Sequence, residues 1–386
     1  MPLIPVRNLK RFIYKTKRDP LYAAKVFSRR VMANFYYRFG KGKSFTPEAV
    51  TLFLTHRCNL RCKMCGQWGE GGVTKKEDAG FIRQELSFEE ISKLVDELAK
   101  FRPSITLFGG EPFLYPQATS IIRKVKQNKM HCLVITNGSM LEPIAEELVK
   151  SGLDELNISL DGPESLHDEI RGMPGLFGRI KKGVDKLNEY KKKYSSARPF
   201  VNLQCTVTKY NYLQLEQMLE VAAELKANSL TFHNLIFLDE SLLDEQKKYD
   251  EQLNSSSEAW KGFVFPPEID PEKLYNIMSG ILKKKLLFNV DFYPNFHKQA
   301  LIDYYTNPRY LPSDYAPCCL SPWIVAYVFP DGNVRPCLNF SYSFGNIKEK
   351  SFASAWNSPE AIKFRKLMKQ KGIFPVCIRC TELYRY

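Results

Sequence analysis

From residue 50 onward the chain alternates between two hydrophobic periods, and this alternation limits its possible folds more than any other feature. Short runs rich in apolar and β-branched residues predict strands over 50–55, 105–108, 132–136, 156–160, 201–207 and 230–232. Between them the apolar spacing turns helical, over 87–100, 121–127, 142–150, 180–191 and 213–226. The first of these helices opens on Ser87-Phe88-Glu89-Glu90, which has the form of a capping box. Strand-then-helix units in series imply parallel strands joined by right-handed crossovers, as in a barrel or a doubly wound sheet.

The placement of polar residues favours the barrel. Cys58, Cys62 and Cys65 follow the first strand, and Gly109-Gly110-Glu111-Pro112 follows the second. Asn137-Gly138 follows the third and Asp161-Gly162 the fourth. In αβ barrels the loops at that end converge on one mouth, where sites are built. The cysteines have C-x3-C-x2-C spacing, so three soft thiolates leaving a strand in one loop can hold three corners of an iron–sulfur cube. The fourth iron would then be open to a ligand. The same spacing also lines up on a helical face, but here a strand precedes it and Gly66 and Gly69 follow.

Residues 239–317 break the pattern, beginning with the charged stretch from Asp239 to Glu251 and continuing through Pro266-Pro267. They read as an insertion or lid, disordered or partly helical and solvent-exposed, plus a connection to the C-terminal unit. That unit, 318–386, has an alternating run over 323–329, a Pro330-Asp331-Gly332-Asn333 turn and a return over 334–336. Cys319, Cys337, Cys377 and Cys380 bracket a helical stretch over 351–368. Four thiolates can close a metal site that staples so small a unit, and on spacing alone zinc competes with iron–sulfur. Cys318 could replace Cys319 in the set, whereas Cys132 and Cys205 read as core.

The net charge of +14 is concentrated at the N-terminus, where residues 1–50 carry twelve Lys or Arg against Asp19 and Glu48. Residues 1–49 thus form a basic arm. Within it Ala24, Phe27, Val31 and Phe35 make an apolar helical stripe among Lys25, Arg29, Arg30 and Arg38. Such a helix packs on its own catalytic domain or, through residues 1–43, rests on an anionic membrane surface. No nucleic-acid-binding motif accompanies the charge, so no nucleic acid partner is expected. No run is long and apolar enough to span a bilayer and no cleavable leader is evident. The expected location is therefore cytoplasmic, or peripheral at the membrane, where ten cysteines suggest metal before disulfides.

The C-x3-C-x2-C and Gly-Gly-Glu-Pro pair strongly resembles the radical S-adenosylmethionine (radical SAM) superfamily. The resemblance continues in Asn157-Ile158-Ser159-Leu160-Asp161-Gly162, His167-Asp168, Arg171-Gly172, Cys319-x2-Pro322-Trp323 and Gly345-Asn346-Ile347, as in its SPASM/Twitch subgroup. It implies an α/β fold: a partial (βα)6 TIM-like barrel over 50–238 and a small C-terminal α+β Twitch-like iron–sulfur domain. Cys58, Cys62 and Cys65 would hold a 4Fe–4S cluster whose open iron chelates S-adenosyl-L-methionine. Gly109, Gly110 and Glu111 would receive its ammonium group, and Asn137, Ser159 and Arg171 its ribose and carboxylate, with Met64 near the adenine. Cys319, Cys337, Cys377 and Cys380 would hold one auxiliary 4Fe–4S cluster, since four cysteines match the shorter Twitch unit.

The activity implied is reductive cleavage of SAM to a 5′-deoxyadenosyl radical that removes a hydrogen atom from the substrate. An external donor such as flavodoxin or ferredoxin would supply the electron. The leading expectation is an oxidoreductase acting on a small or lipid-linked metabolite, with dehydrogenation or C–C/C–X bond formation as outcome. A peptide-modifying maturase is the alternative. The first fifty residues are too short and basic for the winged-helix peptide-binding domain of many such enzymes. From another class, a non-catalytic metal-binding adaptor would leave residues 109–111 and 159–161 unexplained. Candidates for a substrate-side acid or base are Asp161, His167, His233 and Asn234.

Overall fold

A computed structural model describes residues 13, 16, 20–313, 315 and 318–385. Most of the first nineteen residues of the basic arm therefore lie outside the described residues. The chain divides into two compact units, one of Leu52–Leu235 with Pro267–Tyr293, the other of Met1–Thr51, Ile236–Pro266 and Pro294–Tyr386.

The first unit is built on parallel strands. In chain order these are β1 (Ala49–Phe53, which straddles the division), β2 (Ser104–Phe108), β3 (Cys132–Thr136), β4 (Glu155–Ser159), β5 (Phe200–Thr206), β6 (Ser229–His233) and β7 (Asn289–Tyr293). Each strand from β2 to β7 pairs in parallel with the next. The expected α/β architecture is present, with one strand more than the sequence indicated. β7 was hidden because Asn289-Val290-Asp291-Phe292-Tyr293 buries only its last two residues, as an edge strand can. The helix Pro271–Lys283, capped by Asp270, leads into it and completes a further α–β unit.

Burial alternates along β2, β3 and β4 with the strand period of two. One face carries Ile105, Leu107, Val134, Leu156, Ile158, Leu203, Leu230 and Phe232, all wholly buried, and each such side chain contributes about 1.5–3 kcal/mol. Across β4, β5 and β6 the other face is polar. Asn202 of β5 donates to Asn157 of β4 at 3.0 Å and accepts from Ser229 of β6 at 2.9 Å. Parallel sheets usually bury apolar residues on both faces, so this polar ladder marks a face that lines a site rather than a core.

In the second unit, β8 (Val325–Val328), β9 (Asn333–Arg335) and β10 (Gly345–Asn346) pair antiparallel. Helices Phe352–Trp356 and Pro359–Lys371 follow. The N-terminal helix Pro20–Phe39 belongs to this same unit. Its Arg29 donates to Thr46 Oγ1 at 3.0 Å and its Arg30 pairs with Glu48 at 3.2 Å. The turn after it is fastened by Arg365, which is fully buried and donates to Pro322 O at 2.7 Å and Gly42 O at 3.4 Å. Trp356 Nε1 donates to Phe45 O at 2.6 Å. The charged stretch after residue 239 is a helix, Glu240–Leu253, capped by Asp239 and burying Leu242 and Leu253. No helix among the described residues is long and apolar enough to cross a membrane.

Candidate active site

The cysteine loop leaves β1 and folds back tightly, with Cys65 N donating to Cys62 O at 3.1 Å and Gly69 N to Cys65 O at 2.9 Å. Each of its three sulfurs is met by a donor. Trp68 N lies 3.3 Å from Cys65 Sγ, Arg171 Nη1 lies 3.7 Å from Cys62 Sγ, and the Leu60 backbone donates to Cys58. Burial pushes the Cys58 thiol up to about 12 and raises Cys62 as well; the neighbouring thiols add to both. Such sulfurs keep their protons until a metal cation replaces them, and the surrounding N–H groups then stabilise the thiolates.

The Gly-Gly-Glu-Pro loop runs against the entry to this loop. Gly110 N donates to Thr55 O and Glu111 N to Arg57 O, both at 2.8 Å. A Cβ on Gly110 would lie 2.2 Å from Arg57 O, and one on Gly109 would lie 2.6 Å from Thr55 O. Glycine is required here because two backbones touch. Glu111 is wholly buried and accepts from Asn137 N at 2.7 Å, Thr136 Oγ1 at 2.8 Å and Phe113 N at 3.1 Å. Burial raises its carboxyl to about 7, against the pull of those donors. This carboxylate, expected beside a bound ammonium, is enclosed and ties the loop after β2 to the end of β3.

Asn137 joins the same framework. Its amide donates to Asn59 Oδ1 at 2.9 Å and its carbonyl accepts from Ser139 N at 2.9 Å, while Asn59 reaches Ser139 Oγ at 2.9 Å. Arg57 Nη2 holds Glu85 at 2.6 Å and Leu114 O at 2.9 Å. Arg57, Asn59 and Thr136 were not singled out in the sequence. Only Asn59, inside the cysteine loop, offered any positional signal.

The four acid–base candidates separate. Asp161 is wholly buried and takes Arg171 Nε at 2.6 Å and Thr206 N at 2.8 Å. Burial raises its carboxyl, opposed by Arg171. His167 is also wholly buried, and its Nδ1 accepts from Asp161 N at 3.1 Å, so its proton sits on Nε2. Burial holds its pKa down to about 3, and Nε2 has no hydrogen-bond partner among the described residues. Both are enclosed and brace the end of β4. Arg171, expected at the SAM carboxylate, is committed to Asp161 and Cys62. His233 differs. It is half-buried at the end of β6, with Nε2 at 2.5 Å from Gln204 Oε1. Gln204, also missed in the sequence, is in register with the half-buried Ser159 at the end of β4. Asn234 is buried, its N donating to Tyr293 O at 2.9 Å.

In the second unit Cys319 senses the charges of Cys377 and Cys380, and Cys380 those of Cys377 and Cys337. Backbone donors again meet the sulfurs, from Ser321 to Cys319, Asn339 and Phe340 to Cys337, and Glu382 to Cys380. Burial pushes Cys337 up to about 12 and Cys377 to about 11. The adjacent Cys318 is hydrogen-bonded to Tyr37 instead. Two sets of sulfurs with N–H donors turned toward them suit thiolate ligands of iron–sulfur clusters.

Comparison with known proteins agrees. Residues 52–221 match the radical SAM superfamily model, and residues 318–381 match the SPASM model, an iron-sulfur cluster-binding domain. The Fe-coproporphyrin III synthase of Methanosarcina barkeri is 30% identical, over 93% of this chain and 90% of its own. The chain belongs to the radical SAM superfamily. Two further relatives are a tungsten-containing aldehyde ferredoxin oxidoreductase cofactor-modifying protein of Pyrococcus furiosus and AlbA, a subtilosin biosynthesis protein of Bacillus subtilis. The first is 25% identical over 86% of each chain, the second 26% identical over 81% of this chain and 60% of AlbA. In fold, this radical SAM chain resembles Streptococcus suis SuiB bound to precursor peptide SuiA, with a TM-score of 0.61 at 15% identity over 96% of this chain and 75% of SuiB. The cofactors of this radical SAM protein are accordingly S-adenosylmethionine with its 4Fe–4S cluster, and auxiliary iron–sulfur in the C-terminal domain.

Proposed function

We propose that this radical SAM protein is an oxidoreductase that removes a hydrogen atom from a small or lipid-linked metabolite rather than from a peptide. When bound, the cluster and S-adenosylmethionine supply one-electron reductive chemistry that generates a hydrogen-abstracting radical. The chain's own residues place and shield it. Cys58, Cys62 and Cys65 hold the cluster, with Trp68 N–H and Arg171 stabilising two of the sulfurs. Residues 109–110 present backbone beside that loop, and Glu111 with Asn137 and Asn59 keeps the two loops in register. Ser159, Gln204 and His233 form the polar rim nearest to a substrate role, with His233 the one acid–base candidate that keeps solvent access. Cys319, Cys337, Cys377 and Cys380 hold a single auxiliary cluster, with Cys318 outside the set. An external flavodoxin or ferredoxin supplies the electron.

The observation that carries this reading is the polar sheet face of Asn157, Asn202, Ser229, Gln204 and His233. Such a surface recognises a small molecule bearing several hydrogen-bonding groups. The matches support the same substrate class. The relatives aligned over 86% or more of both chains are named for a tetrapyrrole or a cofactor, whereas AlbA aligns over only 60% of its length. A peptide maturase remains the second reading, on the strength of AlbA. The test is anaerobic turnover of the reconstituted protein with strong reductant. Deoxyadenosine should form, vanish in Cys62→Ala, and take up deuterium from a labelled metabolite, Fe-coproporphyrin III being the first to try. Intact SAM would refute the activity; deuterium transfer only from a precursor peptide would refute the substrate class.

A further inference from the structure

The N-terminal helix Pro20–Phe39 has two faces of opposite character. One is packed into its own unit. Ala23, Ala33 and Asn34 are buried, Tyr37 meets Trp323 edge-on at 5.0 Å, and Lys369 donates to Arg38 O at 2.8 Å. The other face is apolar and open to solvent, with Leu21 85%, Val31 38%, Phe35 53% and Phe39 67% exposed. These positions fall on one helical stripe, and Phe45, 38% exposed, lies just beyond the helix end. Large apolar side chains gathered on an outer face mark a surface that is covered in use.

The charges around this stripe narrow what covers it. The twenty-residue helix contains no Asp or Glu. Arg38, Lys41 and Lys43 are exposed beside Phe35, Phe39 and Phe45, and residues 1–50 together carry a net charge of +10. Two copies meeting through this face would set basic rims against each other. An acidic surface with an apolar interior satisfies both features at once, since aromatic side chains enter the interfacial layer while Lys and Arg remain at the headgroups. The helix need not be inserted as a span, because its opposite face is already packed against protein.

We propose that the outer face of Pro20–Phe39, with Lys41, Lys43 and Phe45, docks the protein on an anionic lipid bilayer. This stands independently of the substrate assignment, since it concerns no residue of the candidate active site. The test is co-sedimentation of the full-length reconstituted protein with vesicles of phosphatidylcholine alone or mixed with phosphatidylglycerol. Binding is expected to the mixed vesicles only and to weaken as salt is added. Phe35→Ser with Phe39→Ser, and separately Lys41→Glu with Lys43→Glu, should each weaken it by about tenfold or more. Iron content and deoxyadenosine formation should stay unchanged, which keeps misfolding distinct from lost docking. Failure to bind the mixed vesicles would overturn the proposal. So would a dimer in solution that the Phe35 and Phe39 substitutions dissolve, since the face would then belong to a second copy.

Discussion

Arg171 shows how one side chain in this site serves two buried groups. Its guanidinium pairs with Asp161 at 2.6 Å and reaches Cys62 Sγ at 3.7 Å. Removing it strands a buried carboxylate, so Arg171→Met should cost the protein roughly 3–5 kcal/mol in denaturant unfolding, and adding Asp161→Asn should recover part of that. His167 gives a pH-dependent prediction. Its folded pKa is about 3, below the ordinary histidine value. A depressed value means its contribution is complete above the unfolded pKa and is lost as pH falls toward 3. The metal-free protein should therefore lose stability below about pH 6.5 with a slope of roughly 1.4 kcal/mol per pH unit from this group, and His167→Gln should flatten that limb. The sequence placed both residues in the right region without their partners. Nothing in Ser159-Leu160-Asp161-Gly162 or His167-Asp168 reveals that these side chains turn inward and find each other.

At the scale of elements, loop-to-loop contacts help hold the strand ends together. The loop after β2 lies along the entry to the cysteine loop through two 2.8 Å backbone hydrogen bonds. The 2.2 Å approach at Gly110 leaves no room for a methyl group against a carbonyl oxygen. Gly110→Ala should thus displace the loop and destabilise the unit by about 1–3 kcal/mol, with SAM binding lost in equilibrium dialysis of the reconstituted protein. The helices and strands themselves were legible. The capping box at Ser87 and Glu90 is present with both of its bonds, and β3 falls on residues 132–136 as the pattern indicated. What escaped was β7, where only Phe292 and Tyr293 are buried, and a helix over 240–253 whose charged sequence conceals three buried positions.

On the scale of the whole molecule, two sets of thiols divide between the two units, with Cys58, Cys62 and Cys65 in one and Cys319, Cys337, Cys377 and Cys380 in the other. The reconstituted chain should carry roughly eight irons, and Cys337→Ala roughly four, by iron assay and Mössbauer spectroscopy, if each set holds one 4Fe–4S cluster. Four irons in the unaltered chain would assign the C-terminal set to zinc or leave it without a cluster. The second unit also joins segments far apart in the chain. Arg365 bonds to Gly42 O and Pro322 O, and Arg385 to Glu48 at 3.4 Å. Residues 20–49 read as an arm because Gly42, Phe45 and Glu48 meet partners more than three hundred positions away.

The sequence by itself determined the class of fold and the chemistry. Hydrophobic period and thiol spacing are local properties, and they survive in the linear order of residues. Tertiary structure alone decided which polar residues became framework and which stayed at the surface. Glu111, Asp161 and His167 are wholly buried and bonded to fixed partners, while Gln204 and His233 are half-buried and bonded to each other. Of the adjacent sulfurs, Cys319 feels Cys377 and Cys380 while Cys318 is hydrogen-bonded to Tyr37. Burial and pairing depend on distances that no spacing in the chain encodes.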